Sequence, residues 1–111
     1  MKATDVIIYT DMDGTALTDW SLGPVVPERN LARIRSFVSA GGLFSVASGR
    51  QAPGILQLFP GVAFHAPLVC GNGSVIYDPA EQQVLRKTCL PPDYKCACVS
   101  YFLTHPEVWI V

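Results

Sequence analysis

Charge is scarce in this chain: aspartate, glutamate, lysine and arginine together make up 15% of its 111 residues, and the formal net charge is −1. Nucleic acids and anionic membrane surfaces are held by clustered basic side chains. No such cluster stands here, so neither is an expected partner. Arg29, Arg33 and Arg35 do fall together, but Leu31, Ile34 and Phe37 interleave with them, which makes the arginines the solvated face of one helix. No apolar run approaches the ~20 residues that span a bilayer, and no charged start leads into an apolar stretch with a small-residue cleavage site. Zinc-ligand spacing is missing as well. Cys70, Cys89, Cys96 and Cys98 lack a CxxC pair and a nearby histidine pair, so reduced thiols in a cytoplasmic setting are expected rather than a metal site or a disulfide framework. His65 and His105 have no ligand spacing to another histidine or cysteine and are expected to be ordinary surface residues.

What the chain does have is apolar substance, 50% of its residues, enough for one globular domain with a core. Residues 6–10 are β-rich and apolar on both faces, the pattern of a central strand in a parallel sheet. They run directly into Asp11-Met12-Asp13-Gly14-Thr15. Open α/β sheets bind ligands at the carboxyl ends of their strands. Two carboxylates placed there, one residue apart, can hold one divalent cation while one of them attacks an electrophile. On extended backbone Asp11 and Asp13 share a face, Gly14 permits a sharp turn, and Thr15 can stabilise it. An ordinary polar turn after a strand has the same residues, and these five alone leave both readings open.

Residues 16–27 contain Gly23, Pro24 and Pro27 and show no lasting period, so they form a loop over the end of the first strand, with Trp20 expected to pack there. Leu31, Ile34, Phe37 and Val38 at helical spacing predict a helix, with Pro27 in its first turn and Gly41-Gly42 ending it. Residues 43–47 give a second strand, completing a right-handed βαβ unit that sets the two strand ends side by side. Ser48-Gly49-Arg50 follows, then a helical pattern over 51–59 through Ile55, Leu56 and Phe59, shortened by Pro53 and Gly54. Ser48 is thus expected at a helix amino terminus, where free N–H groups suit either a phosphate or an ordinary cap. Residues 67–70 form a third strand leading into Gly71-Asn72-Gly73-Ser74, with Asn72 open to a role as turn residue or as partner of a carboxylate or ligand. A hairpin over 75–77 and 84–86 follows. Beyond Leu90-Pro91-Pro92, Tyr94, Ala97, Cys98, Tyr101 and Phe102 fit an amphipathic helix, and residues 108–111 begin a strand.

Three motifs at three strand ends, Asp11-Met12-Asp13-Gly14-Thr15, Ala47-Ser48-Gly49-Arg50 and Gly71-Asn72-Gly73 before a hairpin, resemble the haloacid dehalogenase-like superfamily, in the order and spacing of its Cof-type, or subfamily IIB, phosphatases. The resemblance runs from Asp5 to about Leu90. It implies the amino-terminal half of a three-layer α/β/α Rossmann-like core over residues 1–89, with residues 90–111 opening an α/β cap domain. It also implies a Mg²⁺-dependent phosphohydrolase acting on a small phosphorylated metabolite. In that scheme Asp11 is the nucleophile that forms an aspartyl phosphate and a metal ligand. Asp13 is general acid and base and binds the metal through its carbonyl. Ser48, the Gly49 amide and the Met12 backbone hold the phosphoryl oxygens, and Arg50 and Asn72 stand next to substrate or behind these groups.

The family's site also needs a later lysine and an acidic pair past a fourth strand, and neither is present in these residues: Lys87 and Lys95 lie too early, and Asp93 and Glu107 form no acidic cluster. A truncated chain, inactive alone, with an exposed sheet edge open to self-association, is therefore the expectation. The competing reading keeps the fold as a non-catalytic remnant or interaction module.

Overall fold

A computed structural model describes residues 2–17 and 23–108. Trp20 and residues 109–111 of the expected last strand lie outside them. Val108 itself is not in a strand; its N–H donates to the His105 carbonyl at 3.0 Å.

The apolar run after a short 3-10 turn forms β1 (Ile7–Thr10), and β1 pairs in parallel with β2 (Leu43–Val46), Ile7 opposite Leu43 and Thr10 opposite Val46. Between them runs α1 (Glu28–Ser39). Pro27 is its N-cap rather than part of its first turn, and Gly41, at φ +91°, takes the left-handed position that ends a helix. A parallel bridge between Ala47 and Val69 joins β2 to β3 (Leu68–Cys70), with the Ser48 N–H donating to the Val69 carbonyl at 2.9 Å. The chain then turns back twice, through β4 (Val75–Asp78) and β5 (Gln83–Lys87), both antiparallel to their neighbours. Asp78 Oδ1 closes the hairpin loop by accepting from the Ala80 N–H at 2.9 Å.

Side chains alternate across a strand, so Phe44 and Val46 of β2 face the same way, as do Leu68 and Cys70 of β3. That face is the core. It takes Leu31 from α1, and Ala52 and Ile55 from α2 (Ala52–Leu56). Phe59 and Phe64 complete it, their rings 5.7 and 6.0 Å from Phe44 and 5.8 Å from each other. Both helices pack on one side because both βαβ crossovers have the same hand along the order β1-β2-β3. Among the described residues this layer is the helical cover of the sheet, one half of the three-layer arrangement. On the other face Ile7, Tyr9 and Leu43 are exposed. Ser45, between them, is buried and donates to the Pro67 carbonyl at 2.7 Å, a carbonyl that also accepts from the Tyr9 hydroxyl at 3.1 Å.

Two local expectations are corrected. The helix after Ser48 starts only at Ala52, with Gln51 as its cap, so Ser48 does not sit at a helix amino terminus. The carbonyls of Ser48 and Arg50, which an earlier start would use, are engaged by the N–H groups of Asn72 and Gly71, both at 3.1 Å. The second correction concerns α3 (Pro92–Thr104), which forms but buries no residue. At 100° per residue, Tyr94, Cys98, Tyr101 and Phe102 do share a side, yet Val99 and Leu103 stand well away from it and are exposed, so the helix is not one-sided. His105 is half-buried rather than plainly on the surface. Its ring stacks on Tyr101 with centroids 3.9 Å apart, and Nδ1 lies 2.9 Å from the Tyr101 carbonyl oxygen. Among the described residues no helix is long and apolar enough to cross a membrane.

Candidate functional site

Three strand ends meet at one edge of the sheet, and each delivers a short polar segment. From β1 the chain enters a tight turn in which Ala16 N–H donates to the Asp11 carbonyl at 3.3 Å and Leu17 N–H to the Met12 carbonyl at 2.8 Å. Gly14, at φ +83°, makes that turn feasible. Met12 is fully buried in the core. Alternation then places its neighbours Asp11 and Asp13 outward, both exposed, as the shared face of the two carboxylates requires. With its side chain in the core and its carbonyl in the turn, Met12 has only its amide to offer a ligand.

From β2 comes Ser48, buried, its Oγ accepting from the Arg50 N–H at 3.2 Å. That bond uses a lone pair and leaves the hydroxyl proton free to donate. From β3 come Gly71 to Gly73, fastened to the Ser48-Gly49-Arg50 segment by the two backbone bonds described above. Asp11, Ala47, Ser48, Gly49, Val69, Asn72 and Gly73 line a cleft of about 330 Å³ at this edge.

Asp13, though on the same outward side, does not line the cleft. Arg50 grips its carboxylate with two hydrogen bonds, Nη2 to Oδ1 at 2.7 Å and Nε to Oδ2 at 3.0 Å. Hydrogen bonding from this guanidinium, more than its charge alone, holds the Asp13 carboxyl below the usual carboxylate range, and the same bonds push Arg50 upward. Away from the cleft, burial raises the Cys70 thiol, and all four cysteines are free.

The structure thus brings Asp11, Ser48, Gly49 and Asn72 to one cleft, and sets Asp13 and Arg50 beside them as a pair. Ala47 and Gly73 also line it, members of the motifs quoted above but with no role read for either, and so does Val69 of the third strand. For Gly73 the signal was at hand in the Gly-Asn-Gly run. The donor chemistry fits a hard cation such as Mg²⁺, since the Asp11 carboxylate and the Asp13 carbonyl are oxygen ligands. They are few. Among the described residues no three His, Cys, Asp or Glu side chains cluster where they could hold a metal.

A family model for haloacid dehalogenase-like hydrolases matches residues 8–110. Over 105 residues the chain is 32% identical to the 5-amino-6-(5-phospho-D-ribitylamino)uracil phosphatase YbjI of Escherichia coli, covering 95% of this chain and 37% of that protein. A protein from Plasmodium vivax, assigned as a HAD/COF-like hydrolase, superimposes with a TM-score of 0.78 at 26% identity, over 92% of this chain and 37% of that one. A haloacid dehalogenase-like hydrolase from B. subtilis matches in fold, with a TM-score of 0.75 at 22% identity over 90% of this chain and 34% of its own. The chain therefore spans little more than a third of the length of these relatives.

Proposed function

Because the chain belongs to the haloacid dehalogenase-like hydrolases, we propose that its cleft is the amino-terminal half of a phosphatase active site in which Asp11 is the nucleophile. The observation that carries this reading is the convergence of Asp11, Ser48 and Gly49 from separate strand ends on one cleft. Phosphoryl transfer needs in-line placement and neutralisation of charge more than unusual covalent chemistry. An Asp11 oxygen attacks phosphorus, the ester oxygen departs with a proton from Asp13, and an aspartyl phosphate remains. Water then attacks that phosphorus, gives its proton to Asp13, and inorganic phosphate leaves Asp11. The Ser48 hydroxyl and the amides of Gly49 and Met12 hold the phosphoryl oxygens throughout.

The Arg50 contact keeps Asp13 ionised, the form that accepts a proton from water; to donate one to the leaving group, Asp13 has to be released from the guanidinium. The Asp11 carboxylate and the Asp13 carbonyl would hold Mg²⁺, which would supply charge neutralisation for the phosphoryl oxygens. The E. coli relative acts on a phosphorylated small molecule, which supports the same class of substrate here. Residues 1–89 form the core in this reading and 90–111 open a cap, supported by an α3 that buries nothing against the sheet. The free thiols support a reducing, cytoplasmic setting.

A non-catalytic module is the second reading, favoured by the lack of a three-ligand metal cluster among the described residues. The deciding experiment assays the longest protein that carries these residues, with Mg²⁺, on a panel of sugar phosphates beside its Asp11→Asn variant. Turnover that vanishes with Asp11→Asn is the expected result. Turnover equal in the two would remove Asp11 from the mechanism, and turnover in neither would favour the non-catalytic module.

A further inference from the structure

Asn72 is held in a conformation that an L-residue adopts at a cost. Its φ of 54° and ψ of 36° lie in the left-handed region, between Gly71 at φ 55° and Gly73 at φ 91°. Asparagine is, after glycine, a residue that takes this region readily, so the turn accepts a carboxamide here and sets it on the cleft wall.

Its surroundings show what the carboxamide does there. The Asn72 N–H donates to the Ser48 carbonyl, which fixes the position of its Cα relative to the Ser48-Gly49 peptide. The side chain then lies over Gly49: an ideal Cβ at Gly49 would stand 3.1 Å from Asn72 Oδ1 and 3.4 Å from Nδ2. The carboxamide thus lies against Gly49, close enough that a side chain at 49 would have to displace it by a few tenths of an ångström. The Asn72 side chain is exposed, and among the described residues its carboxamide makes no hydrogen bond to the protein, so its polar atoms are open to solvent or to a ligand in the cleft. Strand order sets the rest. Asp11 follows β1, Ser48 follows β2 and Asn72 follows β3, so Asp11 and Asn72 flank the Ser48-Gly49 segment from opposite sides of the cleft.

We propose that Asn72 is a direct ligand of the phosphoryl group: its Nδ2–H donates to a non-bridging oxygen from the β3 side while Asp11 approaches phosphorus from the β1 side. A neutral donor suits this place. It stabilises the anion without forming an ion pair with Asp11 that would blunt the nucleophile. The inference rests on the phosphatase reading and adds a binding residue to it.

The test is a titration of the longest protein that carries these residues, isotope-labelled and with Mg²⁺ present, with inorganic phosphate at constant ionic strength, following the Gly49 and Gly73 amides and the Asn72 side-chain NH₂ by NMR. Asn72→Gly keeps the turn, because glycine tolerates its φ, and should weaken phosphate binding about tenfold, the scale of one hydrogen bond to a charged group, with an unchanged or higher Tm. Asn72→Asp keeps the shape but replaces the donor with a negative acceptor and should weaken binding further. Phosphate binding as in the wild type by either variant, while Ser48→Ala still weakens it, would overturn the role of Asn72 and leave the phosphate site standing. A folded wild-type chain that binds no phosphate would overturn both.

Discussion

Arg50 and Asp13 meet although 37 residues separate them, guanidinium to carboxylate through two hydrogen bonds of 2.7 and 3.0 Å. Asp13 extends the first strand and Arg50 extends the second, so the parallel pairing of those strands is what brings them together. The contact couples the protonation of the candidate acid and base to the Arg50 side chain.

Arg50→Gln should therefore raise the Asp13 pKa back toward 3.8, its value without perturbation. The sign follows from the depression in the folded state. The stabilisation from the pair is complete above pH 3.8 and is lost as the pH falls through the lower folded value. Both side chains are partly exposed, so the whole effect on stability is at most about 1 kcal/mol. NMR titration of the Asp13 carboxyl, with and without Arg50, reads the shift directly. An Asp13 midpoint unmoved by Arg50→Gln would mean that the pair does not persist in solution.

Substitutions at the cleft should rank by what each removes. Asp11→Asn takes away nucleophile and metal ligand and should bring turnover to background with the fold intact. Asp13→Asn should be severely impaired, because leaving group and water both lose their proton partner. Ser48→Ala removes one hydroxyl while the amides remain, so a loss of about ten- to a hundredfold is expected. Steady-state kinetics of the three variants, with circular dichroism to check folding, would contradict this ranking if Ser48→Ala were the most damaging.

Among the described residues, strand β1 has a partner on one side only. Ile7, Ile8 and Tyr9 are 48%, 43% and 44% exposed, with no charge or proline inside Ile7–Thr10 to discourage pairing. Beside the edge runs a mostly apolar groove of about 270 Å³ lined by Ile8, Ile34, Phe37 and Phe44, with Arg33 at its wall. The 111-residue chain by itself should associate through this edge, and Ile8→Lys, which sets a charge on it, should shift it toward monomer. Size-exclusion chromatography with light scattering is the measurement, and amide exchange should find β1 poorly protected in the Ile8→Lys monomer. A wild-type chain that is a compact monomer with protected β1 amides would show the edge to be closed.

How much of this was legible in the residues depended on range. The strand at Ile7–Thr10 and the outward pair Asp11 and Asp13 could be read because alternation and a following glycine are local signals. The βαβ unit could be read because Leu31, Ile34, Phe37 and Val38 keep one helical face, and all four are in or against the core. Ser48 stands at a strand end, as the pattern over 43–47 predicts, but not at the helix amino terminus that the pattern over 51–59 predicts. What delays the helix is the loan of the Ser48 and Arg50 carbonyls to Asn72 and Gly71, some 20 residues away, which no window of sequence displays. The grip of Arg50 on Asp13 was invisible for the same reason. For α3 the misjudgement was one of period: a chosen set of apolar positions fitted a stripe, while Val99 and Leu103 lay off it.

The 111 residues by themselves should hydrolyse phosphate esters negligibly. Their described part offers a cation the Asp11 carboxylate and the Asp13 carbonyl, and no cluster of three ligands. Magnesium demands an octahedral shell and sheds water reluctantly, so water has to fill most of that shell and the ion is loosely placed. Charge is the second difficulty. A phosphate dianion entering the cleft meets the Asp11 carboxylate, and the nearby cation, Arg50, is already engaged by Asp13. Placement errors of about 1 Å cost roughly a hundredfold in rate, so a site short of both metal ligands and a free cation should retain little catalysis. The measurement is turnover of sugar phosphates and a chromogenic aryl phosphate by the purified chain with Mg²⁺, beside its Asp11→Asn variant. Enzyme-like rates in the wild type alone would show that the site completes itself and would sink the half-site argument; completion by a second copy would then be read from a rate that rises with the square of protein concentration at low concentration.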